Sequence, residues 1–191
     1  MGKYYKGIVL LLCLLFASSA YAVSPAILQG MSGSGGGETE QEYGPTSVDS
    51  ESTGWYDECV LQPAAPTTNM TVRYGWLYAT TGTGSNNFSI AVYENSGGAL
   101  GAQVGGCSDE GTITTGAIAW NQTSWSSNFP ILPNDAPYWI CYWTDASMTV
   151  NYNSYGEQSS LYDAGTGTCA TEPTTPDAFY TNVTVSNHVA H

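Results

Sequence analysis

Large apolar residues recur at every second position in segment after segment of this chain, and that period commits it to β-structure. From Met70 to Thr80, Val72, Tyr74, Trp76 and Tyr78 share one face, while Arg73, Gly75, Leu77 and Ala79 share the other. Phe88, Ile90 and Val92 alternate with Ser89, Ala91 and Tyr93, and Trp139, Cys141 and Trp143 alternate with Tyr138, Ile140 and Tyr142. Met148, Val150 and Tyr152 form a further run, and Thr181, Val183 and Val185 close the chain. Successive side chains of a strand point to opposite faces, so each run predicts a strand. Ala102–Val104, Ile113–Trp120 and Ser160–Tyr162 are weaker strands. Turn signals separate these runs at Thr81-Gly82-Thr83-Gly84, Asn95-Ser96-Gly97-Gly98, Pro133-Asn134-Asp135 and Gly165-Thr166-Gly167. Seven to nine short strands at this spacing predict an all-β sandwich or barrel. With 13% aromatic and only 10% charged residues, the chain has the composition of neither a helical bundle nor a disordered segment.

The first residues read as an export signal. Lys3 and Lys6 precede an apolar run from Ile8 to Ala17, and Ala20-Tyr21-Ala22 supplies a small-x-small cleavage site. The apolar run is too short to span a bilayer comfortably, and Cys13 inside it lacks the small preceding residue of a lipoprotein signal. Cleavage after Ala22 leaves residues 23–191, with Arg73 as the one strong base against all 16 acids and a formal charge of −15. That sign repels phosphate backbones and anionic headgroups, which excludes nucleic acid and electrostatic membrane binding. Residues 23–53 form a flexible leader: a short apolar piece at Pro25–Leu28, a Gly/Ser stretch from Gly30 to Gly37, then acidic residues from Glu38 to Glu42. The domain is expected over residues 54–191.

Four cysteines remain after cleavage, Cys59, Cys107, Cys141 and Cys169, spaced 48, 34 and 28 residues apart. In an exported chain they imply two disulfides, while the absence of clustered ligands argues against zinc. Of the three connectivities, Cys107 with Cys141 and Cys59 with Cys169 is favoured, because the second pair would tie the first strand to a late one.

Ile90-Ala91-Val92-Tyr93-Glu94-Asn95-Ser96-Gly97-Gly98-Ala99-Leu100-Gly101, then Trp120, Ile131-Leu132-Pro133 and Tyr138-Trp139-Ile140, resemble a motif set of secreted bacterial β-sandwich domains. The chain departs from it at Ala99-Leu100, where Pro is usual, and at Asn134–Pro137, where Gly precedes Tyr-Trp. The resemblance covers roughly residues 55–190. It implies a jelly-roll-like antiparallel sandwich on an exported or surface protein, and it supplies no catalytic residues.

The mature chain has no lysine, and His188 and His191 lie in its last four residues. Acid–base and nucleophilic catalysis depend on such groups or on a free cysteine, so the expectation is a protein that binds without turnover. Two-carboxylate glycoside hydrolysis is the enzymatic alternative, with Glu94, Asp109, Glu110, Asp145 and Glu157 available. No cofactor is implied. A structural Ca²⁺ at Glu94-Asn95 or Asp109-Glu110 is the metal to consider, although neither pair has the spacing of a calcium loop.

Surplus aromatic residues point to sugars, whose flat C–H faces stack on Trp and Tyr while amides and carboxylates take their hydroxyls. Trp125, set among Ser and Asn, and Trp55, at the domain edge, are the expected exposed platforms. Trp120, Asn121, Gln122 and Asn128 form a second candidate cluster, and the paired faces of Tyr138–Trp143 add Tyr138 and Tyr142. The expected partner is an extracellular glycan or a surface protein. The alternative is a structural subunit of a surface assembly, with residues 25–28 adding a strand to a neighbouring copy and the Gly-Ser tether reaching about 15 Å. Four N-x-[ST] sequons, at Asn69, Asn87, Asn121 and Asn182, are read as chance in so Thr- and Asn-rich a chain.

Overall fold

A computed structural model describes residues 39–45, 51–55, 57–81, 84–153, 160–163, 169, 175–177 and 180–189, with backbone alone for 51–55, 151–153, 162–163, 175–177 and 180–181. Among these residues every element is a strand: β1 (Glu42–Tyr43), β2 (Glu51–Trp55), β3 (Asp57–Leu61), β4 (Met70–Thr71), β5 (Tyr74–Thr80), β6 (Asn86–Ser96), β7 (Ala99–Val104), β8 (Gly111–Ile113), β9 (Ala119–Ser124), β10 (Ile131–Leu132), β11 (Tyr138–Thr144), β12 (Met148–Asn153), β13 (Ser160–Asp163), β14 (Thr175–Asp177), β15 (Tyr180–Thr181) and β16 (Val183–Ser186). The count exceeds the seven to nine expected because several pieces hold only two or three residues. The Met70–Thr80 run, for example, breaks at Val72-Arg73 into β4 and β5.

Two seven-stranded antiparallel sheets make a β-sandwich. The first runs β1-β16-β5-β12-β15, with β9 on the other edge of β5 and β2 against β12; the second runs β14-β13-β3-β11-β6-β7, with β8 against β6. Strands β4 and β10 pair separately. The core lies between the sheets, where Leu77, Ala79, Met148, Val150, Val183 and Val185 meet Val60, Phe88, Ile90, Val92, Ile140 and Tyr142. On β5 the inward face is thus the Gly75-Leu77-Ala79 side, and the Tyr74-Trp76-Tyr78 side faces outward.

The second sheet is dry on its outer face as well. Cys59, Ala91, Tyr93, Trp139, Cys141 and Trp143 form a second buried cluster there, which explains why β11 carries large rings on both faces and is buried at every position. Both disulfides touch this cluster, and their connectivity corrects the expected one: Cys59 bonds Cys141 and Cys107 bonds Cys169. Cys59 and Cys141 are direct cross-strand partners of β3 and β11, so the register brings their Cα atoms to 3.9 Å. Such closeness marks a non-hydrogen-bonded antiparallel pair, the site where facing side chains lie nearest.

The domain also begins earlier than residue 54. β1 pairs with β16 in register Tyr43↔Val185, and Tyr43 is buried in the main core. Its hydroxyl donates to the Ala64 carbonyl at 2.9 Å and accepts from the Tyr138 backbone N–H at 2.8 Å. Gln41 N–H donates to Asn187 Oδ1 at 2.8 Å on the same side. Residues 1–38, including the expected signal segment and Pro25–Leu28, lie outside the described residues. No helix among the described residues is long and apolar enough to cross a membrane.

Candidate functional site

Alternation decides where the aromatic residues can act. β9 lies beside β5 with Tyr78 opposite Trp120, Trp76 opposite Gln122 and Tyr74 opposite Ser124. All six belong to the outer face of the first sheet. Tyr78 and Trp120 stack at 5.2 Å between ring centroids with planes tilted by 60°, and both are half-buried. Tyr74, half-buried, lies 6.0 Å from Trp76. Gln122 is exposed and Thr80 half-buried beside them. At the described outward positions of β5 and β9 no side chain is charged. Tyr74 and Tyr78, four residues apart on one strand, are separated by about 13 Å along it.

Trp125 is not part of this surface. It follows β9 at an odd offset from Trp120 and is 4% exposed, filling the space above Gly75, where a Cβ would sit 3.3 Å from its ring and 2.8 Å from Ile90 Cδ1. Its backbone N–H donates to Arg73 O at 2.9 Å and its indole N–H to Gly106 O at 2.8 Å. The expected exposed platform is a buried anchor. A Gly in mid-strand marks close approach of another group, and Gly75 was the signal that could have revealed it.

Asn121 is buried too. Its Nδ2 donates to Ala79 O and Ala119 O, both at 2.9 Å, and its Oδ1 accepts from Thr114 N–H at 3.1 Å, a bracing role that also leaves no room for a glycan. Asn182 is likewise fully buried. Asn128 is exposed in a left-handed turn, φ 49°, where its carbonyl accepts from Gly106 N–H. Tyr142 lies in the core, donating to Glu58 Oε2 at 3.1 Å. The Trp55 backbone pairs with Met148 in β12; its side chain lies outside the described residues, as does Glu157.

Two grooves hold the remaining candidates. One, of about 370 Å³, is lined by Asn87, Ser89, Glu110, Trp143, Asp145 and the Cys107–Cys169 bridge, among others. Asp145 Oδ1 there accepts from Asn87 N–H at 2.8 Å. The other, of about 390 Å³, is lined by Glu94, Asn95, Ile131, Pro133, Asp135 and Tyr138, among others, with Ile131 63% exposed at its rim. Burial, then the charges of Asp135 and Glu94, raise the Tyr138 phenol above its ordinary value. Asp109 faces neither groove and accepts from Ser126 Oγ at 2.9 Å. Among the described residues no group of three or more His, Cys, Asp and Glu side chains is placed to hold a metal ion.

Arg73, the only Lys or Arg beyond residue 6, has its guanidinium 5.0 Å from the centroid of the Phe129 ring. Comparison of the chain with protein-family models, with curated proteins and with solved structures gives no match.

Proposed function

We propose that this chain is an exported, non-catalytic carbohydrate-binding domain whose ligand lies on the outer face of β5 and β9. One observation carries the reading: Tyr78 and Trp120 form a half-buried aromatic pair on the outer face of β5 and β9, where the other side chains of these two strands, Tyr74, Trp76, Thr80, Gln122 and Ser124, are all uncharged. Rings offer a flat apolar surface, with a negative π face, to the C–H face of a sugar. Gln122 offers both a donor and an acceptor to hydroxyls. Two disulfides fit an oxidising compartment, and the signal segment supplies the route to it. The test is glycan-array or polysaccharide pull-down binding with Trp120→Ala and Tyr78→Ala, each expected to lose at least about tenfold in affinity.

A hydrolytic reading is favoured by one feature, the presence of both Glu110 and Asp145 on the wall of one groove. Two-carboxylate hydrolysis requires such a pair. Reproducible polysaccharide cleavage, abolished by Glu110→Gln or Asp145→Asn, would establish it.

A further inference from the structure

Among the described residues the large apolar side chains left exposed are Ile131 and Val189, and Ile131 stands at the rim of the 390 Å³ groove. The register of β10 puts it there. Paired with β4 as Ile131↔Thr71 and Leu132↔Met70, this two-residue strand turns Leu132 into the core and so Ile131 outward. Val104, Pro133 and Ala136 continue the apolar wall toward Tyr138.

The groove is held by bonds from several elements. Asn134 N–H donates to Asn69 Oδ1 at 2.9 Å, and the Tyr138 hydroxyl donates to Pro133 O at 3.3 Å. A Cβ on Gly101 would lie 2.8 Å from Glu94 O, so β7 packs closely against β6 beside the groove. Val104 ends β7, the last strand on its side of the second sheet. The outer side of β7 meets no other strand among the described residues, and an edge of that kind accepts an added strand.

Charge selects the occupant. Glu94 is the direct cross-strand neighbour of Tyr138, so the two side chains share a face, and Asp135 stands in the loop between β10 and β11. Both charges are felt at the Tyr138 phenol. Neither carboxylate has a hydrogen-bond or cationic partner among the described residues. A second copy of this chain is a poor source of one, since Arg73, its one Lys or Arg beyond residue 6, is engaged at the Phe129 ring. A small polyamine would neutralise the acids but leave Ile131 uncovered. A polypeptide segment satisfies both.

We propose that this groove docks an extended segment of a partner protein in which a lysine or arginine neighbours an apolar residue. The segment pairs with the outer edge of β7, its basic side chain ends at Glu94 and Asp135, and its apolar side chain covers Ile131. The aliphatic stem of the basic residue lies along Val104 and Pro133, as long cationic side chains do on apolar surface. The site shares no residue with the outer face of β5 and β9, and it does not rest on the glycan reading.

The mature protein is titrated calorimetrically with a short capped peptide that alternates lysine with leucine. Binding is expected, and it weakens at least about threefold in Glu94→Gln and in Asp135→Asn, the scale of an exposed ion pair. Glu40→Gln, which removes a charge from an exposed position outside the groove, leaves it unchanged. Both groove acids are exposed, so these variants keep the melting temperature. A peptide with glutamate for lysine does not bind, and one with serine for leucine binds more weakly. Amide NMR shifts caused by the peptide fall on β7 and Ile131. Absence of binding, equally tight binding of spermidine, losses no greater than in Glu40→Gln, or shifts confined to other surfaces would overturn the proposal.

Discussion

Trp120 and Trp125, five residues apart, face opposite sides of the first sheet: Trp120 lies outward against Tyr78, and Trp125 lies inward above Gly75 with its indole N–H bonded to Gly106. Their substitutions separate binding from stability. Trp125→Ala is expected to cost about 3–5 kcal/mol, as removal of a buried indole does, while Trp120→Ala costs about 1 kcal/mol, the scale of a cross-strand pair. Urea denaturation of both variants checks this, and equal losses would contradict the assigned faces.

Tyr43 binds the segment before residue 54 to the domain. Tyr43→Phe keeps the ring but leaves the Tyr138 N–H and the Ala64 carbonyl without their partner, an expected loss of about 1–3 kcal/mol in a chemical-denaturation curve. Removing residues 23–38 alone is expected to leave the midpoint unchanged.

The same residue makes stability depend on alkaline pH. Burial raises the Tyr43 phenol far above its ordinary value, and burial with two nearby acids raises Tyr138. In both cases the unfolded chain ionises first and so binds fewer protons than the folded one, which makes stability fall with rising pH. The contribution is fully present below the ordinary tyrosine value of about 10 and is lost progressively above it. Denaturation midpoints at pH 9 and pH 11 should show the drop, and Tyr43→Phe should reduce it.

Cys59 and Cys141 close a loop of 82 residues. The Cys59→Ala/Cys141→Ala protein is expected to lose about 4 kcal/mol on a chain-entropy account, measured by denaturation against the wild type. A loss below about 1 kcal/mol would show that pairing of β3 with β11 does not depend on the bridge.

What could be read from the sequence follows from the range over which each feature is encoded. Period-2 alternation is local, so β5, β6 and β11 were legible, as were the large rings on both faces of β11. The burial of the outer one of those faces was not, because the residues packed against it include Cys107 and Cys169, which lie 62 residues apart and are bonded to each other. Disulfide pairing depended likewise on which strands become neighbours, and the register placing Cys59 opposite Cys141 is a tertiary fact. β1 was hidden because a two-residue strand has no period to display. Tyr43, the lone aromatic residue between positions 23 and 54, was its only mark. Trp125 looked exposed because its neighbours are polar, yet the parity of β9 and the notch at Gly75 decide its side.

The central claim rests on the outer face of β5 and β9, and isothermal titration of the mature protein with a neutral polysaccharide, identified by array screening, tests it most directly. The account predicts binding that survives 0.5 M salt and EDTA, falls at least about tenfold in Trp120→Ala, and is retained in a surface control such as Ile131→Ser. Binding that is unaffected by both Trp120→Ala and Tyr78→Ala, or the absence of binding to any glycan on the array, would contradict it.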